Sequence, residues 1–241
     1  MTVLAIFGPT GVGKTGVAIA LARVLRKRGE DPVAINCDAL QVYAGLETLT
    51  GAATAEEQDQ LEHRLLGFVP ITADFSVGDY MPLAHAEIDS ALEAGRRPIV
   101  VGGTGLYLRA ALAELSLEKV PPESETSELW SPDTRHATTI FGLDMDRAQL
   151  YERIDARVES IAAAGAAEEA RQADAVGPGR TARRALGFDE LLSGDLETMK
   201  KRSRNYARRQ LTWMRKIPNI QLIDRTGLSD ADVASLIGCR A

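Results

Sequence analysis

The sequence predicts an α/β fold, in which a parallel sheet is covered by helices on both faces. Short apolar segments typical of strands alternate with longer segments whose apolar residues recur at helical spacing. Glycines and polar residues follow several of these strands, at the edge of a parallel sheet where ligands bind. A chain of 241 residues with 45% hydrophobic residues is long enough to bury one sizeable core.

The first half of the chain carries three predicted strands, with helical segments between and after them. Stretches such as TVLAIFG and PVAIN are apolar and short, which indicates buried strands. The strands are predicted over 2–8, 32–36 and 96–105, and the helices over 15–28, 81–95 and 106–115. Since parallel strands need long crossover connections, the helices between these strands fit a parallel sheet.

The second half begins with a polar, proline-bearing stretch that predicts a loop. Further strands are predicted over 138–145 and 220–224, and helices over 146–165, 181–194 and 196–216. Asp146 is a candidate N-cap and Gly165 a candidate helix end. We therefore divide the chain into an α/β core (1–117), a short polar loop (118–136) and a C-terminal part that completes the core with basic helices (137–241).

Charge is distributed unevenly along the chain. The net charge is −6, but residues 180–216 hold eleven Lys and Arg against four Asp and Glu, a local charge of +7 against −13 elsewhere. This pattern favours one anionic partner at the C-terminal helices, although a solvated helix face would look the same. No apolar run approaches the roughly 20 residues of a membrane span, so no membrane partner is expected. Two distant cysteines favour the cytoplasm, and three scattered histidines argue against a zinc site.

The stretch GPTGVGKT fits the pattern G-x-x-x-x-G-K-[ST] of a phosphate-binding loop, and it lies between a predicted strand and a predicted helix. Glycines let backbone N–H groups converge on phosphate oxygens at a helix N-terminus. Lys14 would add a charge, and the Thr15 hydroxyl would hold Mg²⁺. The sequence thus predicts a core like that of the P-loop nucleoside-triphosphate hydrolases. The predicted phosphate ligands are Gly8, Pro9, Thr10, Gly11, Val12, Gly13, Lys14 and Thr15.

The loop alone does not identify the phosphate compound. ATPases and kinases usually carry a second apolar strand that ends in an acid, which organises Mg²⁺. Here the strand PIVVGGTGLY ends in glycines and Thr104, and Asp38 is the acid at a strand end. This difference counts against an ATPase, while a small-molecule kinase stays open.

Several segments together resemble the isopentenyl-diphosphate transferase family. They are GPTGVGKT, CDALQVYAGLETLTGAAT, VVGGTGLYLRAAL, LYERIDARVESI, TARRALGFDEL and NYARRQLTWMRK, in that order along nearly the whole chain. The resemblance implies that the loop holds the diphosphate of a prenyl donor, dimethylallyl diphosphate, with Mg²⁺. It also implies transfer of the dimethylallyl group to the N6 amine of an adenine.

The resemblance assigns roles to individual residues. Asp38 matches the family's catalytic aspartate, Thr104 the threonine beside it, and Arg157 an arginine that reaches the diphosphate. The plain alternatives are a turn or cap acid, a turn hydroxyl and a surface arginine. Arg153 lies one turn from Arg157, so either could be the exposed one.

The family divides by acceptor into enzymes that modify tRNA beside the anticodon and enzymes that modify free adenine nucleotides. The basic C-terminal helices favour the tRNA anticodon loop, and we expect a monomer. The residues expected to contact RNA are Asp38, Ala39, Leu40, Gln41, Thr104, Arg184, Arg208, Arg209, Gln210, Trp213 and Arg215.

Two departures from the family pattern weaken the tRNA hypothesis. The helical insertion that usually follows the GGTGLY helix is replaced by a short polar loop, and Ala44 and Ala52 stand where basic residues are common. A free adenylate acceptor therefore stays an alternative. A non-catalytic RNA-binding protein is a third hypothesis, but it gives no reason for Lys14, Asp38 and Thr104 to meet at strand ends.

Overall fold

The computed structural model describes residues 1–116 and 128–240 and contains one six-stranded sheet. The strands are β1 (Val3–Phe7), β2 (Pro32–Asn36), β3 (His63–Arg64), β4 (Arg97–Gly102), β5 (Thr138–Asp144) and β6 (Gln221–Asp224). Their order across the sheet is β3-β2-β4-β1-β5-β6, and every neighbouring pair is parallel. All carboxyl ends therefore lie at one edge.

The helices connect these strands and extend beyond them. They are α1 (Lys14–Arg26), α2 (Glu47–Thr50), α3 (Ala55–Gln60), α4 (Val77–Glu93), α5 (Gly105–Leu112), α6 (Arg147–Ala163), α7 (Ala166–Ala175), α8 (Arg180–Arg183), α9 (Phe188–Ser193), α10 (Leu196–Met214) and α11 (Asp230–Gly238). A short 3-10 turn spans Glu128–Trp130. No helix in the described ranges is long and apolar enough to cross a membrane.

Both faces of the sheet are buried, which explains why its strands are apolar throughout. On β1, Leu4 and Ile6 join a cluster with α1 and α11, while Ala5 and Phe7 join a second cluster with α4 and α5. A third apolar cluster lies among α2, α7, α9 and the first turn of α10. The site described below lies between the carboxyl edge of the sheet and this third cluster.

The predicted parallel sheet with helices on both faces is confirmed, as is the Asp146 cap, whose carboxylate accepts from the N–H groups of Ala148 and Gln149. The single helix predicted over 181–194 is wrong. The chain forms α8 and α9 instead, because Gly187 between them has a left-handed φ of 98° that ends helical geometry.

Sequence periodicity also missed β3 and the helices α2, α3, α7 and α11. Helix α6 stops before Gly165 as expected, but α7 begins directly after it. Part of the predicted polar loop, residues 117–127, lies outside the described residues, so the three-part division of the chain stays a prediction.

Candidate functional site

The loop Gly8–Thr15 connects β1 to α1 at the carboxyl edge of the sheet. Gly11 and Gly13 have φ angles of 81° and 87°, a left-handed geometry that glycine adopts at little cost. The N–H of Val12 donates to the Pro9 carbonyl, at 3.3 Å, and closes the turn. The motif is therefore folded as a strand, a tight loop and a helix N-terminus.

Two arginines hold the loop from outside the cavity. Arg225, which is 2% exposed, donates from Nη1 to the Val12 carbonyl at 2.6 Å, and its Nη2 donates to Asp230 Oδ1 at 2.9 Å. Arg153 donates from Nε to the Gly11 carbonyl at 2.9 Å. Because the C=O and N–H of a trans peptide point in opposite directions, the Gly13 N–H faces away from Arg225. Sequence reasoning missed Arg225, which only follows a predicted strand.

A cavity of about 370 Å³ opens beside the loop. Its charged lining residues are Lys14, Asp38, Glu57, Arg157 and Asp230, and Thr15 adds a hydroxyl. The apolar part of the lining consists of Leu40, Leu49, Ile154, Val158, Ile161, Leu186 and Met199. The lining thus combines two cationic side chains with apolar surface, a combination that suits a compound with an anionic head and a short hydrocarbon tail.

Lys14 lies between the loop and the end of β2. Its Nζ donates to the carbonyls of Gly8 and Pro9, at 3.0 and 3.1 Å. Burial lowers the pKa of Lys14 to about 8; the negative charge of Asp38 opposes this shift, and the positive charge of Arg157 adds to it. The ammonium is thus poorly solvated, which strengthens its attraction to an anion in the cavity.

Asp38 and Thr104 lie side by side, because they follow the neighbouring strands β2 and β4. The Thr104 hydroxyl accepts from the Ala39 N–H at 3.2 Å, and Asp38 Oδ1 accepts from the Leu40 N–H at 3.0 Å. Asp38 Oδ2 has no hydrogen-bond donor within the described ranges. The close approach needs Gly102, since a Cβ there would overlap with the backbone carbonyl of Cys37.

Arg157, and not Arg153, reaches into the cavity from α6. Its Nη2 donates to the Thr50 carbonyl at 2.9 Å, and the Gln41 side chain donates to the Gly51 carbonyl at 3.2 Å. Burial lowers the pKa of Arg157, while Asp38 raises it. The sequence left the choice between the two arginines open, and the structure resolves it through the direction of the helix face.

Comparison with known proteins identifies the family. The family model of IPP transferases matches residues 41–131 and 119–217, and a model of isopentenyl transferases matches residues 1–74. The chain belongs to the IPP transferase family. This confirms the resemblance seen in the sequence motifs.

Curated relatives match along nearly the whole chain. A tRNA dimethylallyltransferase of Salinispora tropica is 33% identical, covering 94% of this chain and 89% of that protein. The tRNA dimethylallyltransferase of Thermobifida fusca is 31% identical, over 99% of this chain and 94% of that protein. A crystal structure of the tRNA isopentenylpyrophosphate transferase from Bacillus halodurans superposes with a TM-score of 0.85 at 28% identity, over 99% of this chain and 95% of that one.

The matches also bear on the missing insertion. The Salinispora alignment runs over 290 residues although this chain has 241, so that relative carries segments without a counterpart here. The two parts of the family model meet at residues 119–131, where the sequence predicts the short loop. This IPP transferase is therefore shorter than the Salinispora relative within the matched region.

Gln210 connects α10 to both parts of the transferase site. It is 4% exposed, its Oε1 accepts from the Thr10 N–H at 2.8 Å, and its Nε2 donates to the Gly103 carbonyl at 2.8 Å. The amide thus holds the phosphate loop against the end of β4. Both polar atoms of the Gln210 side chain are hydrogen-bonded inside the protein. The predicted contact of Gln210 with RNA stays a prediction.

The other residues expected to contact RNA lie on the surface or beside the cavity. Arg184, Arg208, Arg209 and Arg215 are exposed, and Trp213 is half-buried. Tyr206, which sequence reasoning placed with Arg209 and Trp213 on one helix side, lines the cavity, and burial raises its pKa. Helix α10 therefore reaches from the exposed basic surface to the cavity at the carboxyl edge of the sheet.

The lining offers oxygen ligands that suit Mg²⁺. Thr15 lines the cavity and offers its hydroxyl, whose Oγ1 is not hydrogen-bonded within the described chain. Residues 1–116 and 128–240 contain no group of three or more His, Cys, Asp or Glu side chains that could hold a metal ion. This composition fits a cation held largely by substrate phosphates, as Mg²⁺ commonly is, rather than a metal site made by protein alone.

Proposed function

We propose that this transferase moves a dimethylallyl group from dimethylallyl diphosphate to the N6 amine of an adenine beside the anticodon of tRNA and releases diphosphate. The observation that carries the proposal is that Lys14, Arg157 and Asp38 line one cavity with an apolar wall, while Thr104 lies beside Asp38 at the sheet edge. The first two suit an anionic leaving group, and the last two suit an amine that must lose a proton.

The donor's diphosphate would bind the N-terminus of α1, where unpaired N–H groups and the helix dipole favour an anion. Lys14 adds a positive charge and Arg157 a guanidinium whose two donors match phosphate oxygens. Mg²⁺, held through Thr15 and the diphosphate, would supply Lewis-acid stabilisation of the leaving group. The apolar lining, which includes Val158 and Ile161, would hold the hydrocarbon tail and keep water from the allylic carbon.

Asp38 serves as the general base. As the new C–N bond forms, the allylic C–O bond breaks and its electron pair leaves with the diphosphate. The proton lost from N6 passes to Asp38, whose Oδ2 faces the cavity without a protein donor. The Thr104 hydroxyl, 3.2 Å from the Ala39 N–H, orients the amine beside this carboxylate.

The exposed arginines of α10 favour tRNA over a free adenylate. Arg208 and Arg209 on α10 and Arg215 directly after it are exposed and have no carboxylate partner within the described chain, so they are available to phosphates. Unpaired anticodon-loop bases can be splayed out for recognition, and the target adenine must leave its stack to reach Asp38. The enzyme would act as a monomer in the cytoplasm, where the free thiols of Cys37 and Cys239 would stay reduced.

A paired transfer assay tests the proposal. Purified protein, Mg²⁺ and dimethylallyl diphosphate are offered unmodified tRNA in one reaction and AMP or ADP in another, and the adenosines are analysed by mass spectrometry. Prenylated adenosine from tRNA alone is expected. Product from the free nucleotide alone would assign the chain to the adenylate branch, and product from neither would refute the transferase assignment.

A further inference from the structure

The only two tryptophans of the chain, Trp130 and Trp213, contact each other. Their ring centroids are 4.8 Å apart with an angle of 49° between the planes, and the Lys216 ammonium lies 5.4 Å from the Trp130 ring centroid. Both indoles are half-buried and Lys216 is exposed. The group of Trp130, Trp213 and Lys216, named here the tryptophan platform, therefore presents aromatic surface and a positive charge to solvent.

Trp213 places the platform next to the catalytic edge. Its ring packs on Gly105, where any side chain would overlap with the indole. Gly105 is the residue after Thr104 and begins α5. A base stacked on the platform would thus lie near Thr104, where the proposed function places the acceptor adenine.

Trp130 is held by a buried arginine. Arg109 on α5 is 1% exposed, and its Nε donates to the Leu129 carbonyl at 2.9 Å while its Nη2 donates to the Asp133 carbonyl at 3.3 Å. These bonds fix the backbone on either side of Trp130. Burying a guanidinium is costly, so the polar contacts that compensate it also give the tryptophan a defined position.

The surface beside the platform is basic. A groove of about 500 Å³ is lined by Asn205, Arg208, Arg209, Thr212 and Trp213. Arg208 donates to the Asn205 side chain at 2.6 Å, and Arg209 lies 5.4 Å from the Tyr206 ring centroid. No carboxylate in the described ranges pairs with Arg208, Arg209 or Lys216. Exposed aromatic rings beside unpaired cationic side chains suit the binding of single-stranded RNA. Its bases can stack on the rings, and its phosphates can form ion pairs with the cations.

We propose that the tryptophan platform binds an unpaired base of the anticodon loop and that Trp130 is an RNA-binding residue of this enzyme. This inference rests on the proposed function, because it takes tRNA as the acceptor. Trp130 lies within residues 119–131, where the two matched parts of the family model overlap.

Steady-state kinetics provide the first test. Trp130→Ala should raise the KM for tRNA roughly fivefold to 150-fold, the range expected for one lost stacking contact. The kcat and the KM for dimethylallyl diphosphate should change less than twofold, and Trp130→Phe should restore most of the affinity. Lys216→Gln changes an exposed side chain and should raise the KM for tRNA about twofold to fivefold. This rise in KM should be smaller at high salt, because salt screens the lost charge. An unchanged KM for tRNA in Trp130→Ala and Lys216→Gln would overturn the proposal.

Tryptophan fluorescence separates this inference from the proposed function, because both emitters lie in the platform. In Trp213→Phe, Trp130 is the only emitter, and titration with an anticodon stem-loop RNA should shift or quench its emission. Quenching by RNA in a protein that fails to transfer the prenyl group would support the platform and refute the function. Normal transfer to tRNA with unchanged Trp130 emission would refute the platform alone.

Discussion

The part of the cavity around Lys14, Asp38 and Arg157, named here the donor end, and the exposed side of α10 both contain basic side chains, but in opposite environments. Lys14 and Arg157 lie inside the cavity, and burial lowers the pKa of both groups. Arg208 and Arg209 stand in water. Poorly solvated charges act strongly on one ligand at short range, whereas exposed charges act weakly and are screened by salt. Changes at the donor end should therefore lower turnover, and changes on α10 should lower affinity for RNA.

The same contrast divides α10 itself. In its first half, Lys200 pairs with Glu159 and Glu197, and Arg204 donates to Asp155 at 2.6 Å. In its second half, Arg208 and its neighbour Arg209 have no such partner within the described residues. A count of basic residues in the sequence cannot separate these halves, because the pairing carboxylates lie partly on α6.

The largest expected effect comes from the acid at the donor end. Asp38→Asn should lower kcat by about 10² to 10⁴, because the amide cannot take the proton from N6. Asparagine has nearly the same size as aspartate, so the Kd for tRNA should change little in a filter-binding measurement. Full turnover in this variant would remove Asp38 from the role of base.

Lys14 comes next in expected effect. Lys14→Met should lower kcat/KM for dimethylallyl diphosphate by roughly 10² to 10³, since a charge on the leaving group loses its partner. The folded pKa is about 8, below the ordinary 10.5, so the ammonium is lost as pH rises through about 8. The kcat/KM of the unmodified enzyme should fall above that pH, and Lys14→Met should lack this fall. A wild-type profile that stays flat up to pH 10 would contradict the assignment.

Substituting Arg225 tests whether contacts on the side of the phosphate loop away from the cavity are needed for stability and for donor binding. Arg225→Gln leaves the Val12 carbonyl and Asp230 without their donor, so the free energy of unfolding should fall by about 1–3 kcal/mol. The KM for the donor should rise about tenfold as the Gly13 N–H loses its fixed direction. Arg153→Gln is the matched control, because that arginine donates to the same loop from an exposed position and should matter less. Equal, small effects of both variants would show that the loop needs no outer support.

The sequence predicted most of the sheet and the polar residues at its carboxyl edge, since apolar strands, glycines and strand-end polar residues are local signals. It did not predict Arg225 or the contact of Gln210 with the phosphate loop, both of which depend on residues about 200 positions away along the chain. It joined α8 and α9 because Gly187 carries no sign of its left-handed φ in an otherwise helical pattern. The apolar wall was missed for a similar reason, because residues such as Leu49 and Met199 look like ordinary core.

The smallest expected effect compares two arginines one turn apart on α10. Arg208→Gln should raise the KM for tRNA about threefold and reduce the slope of log Kd against log salt by about 0.7 to 0.9, as loss of one phosphate contact does. Arg204→Gln should leave that slope unchanged and lower the free energy of unfolding by at most about 1 kcal/mol, because its charge is already paired with Asp155. Equal slopes of log Kd against log salt in the two variants would mean that pairing with carboxylates does not decide which basic residues contact RNA. A reduced slope only in Arg208→Gln would show that the free second half of the helix, and not its total charge, forms the RNA-binding surface.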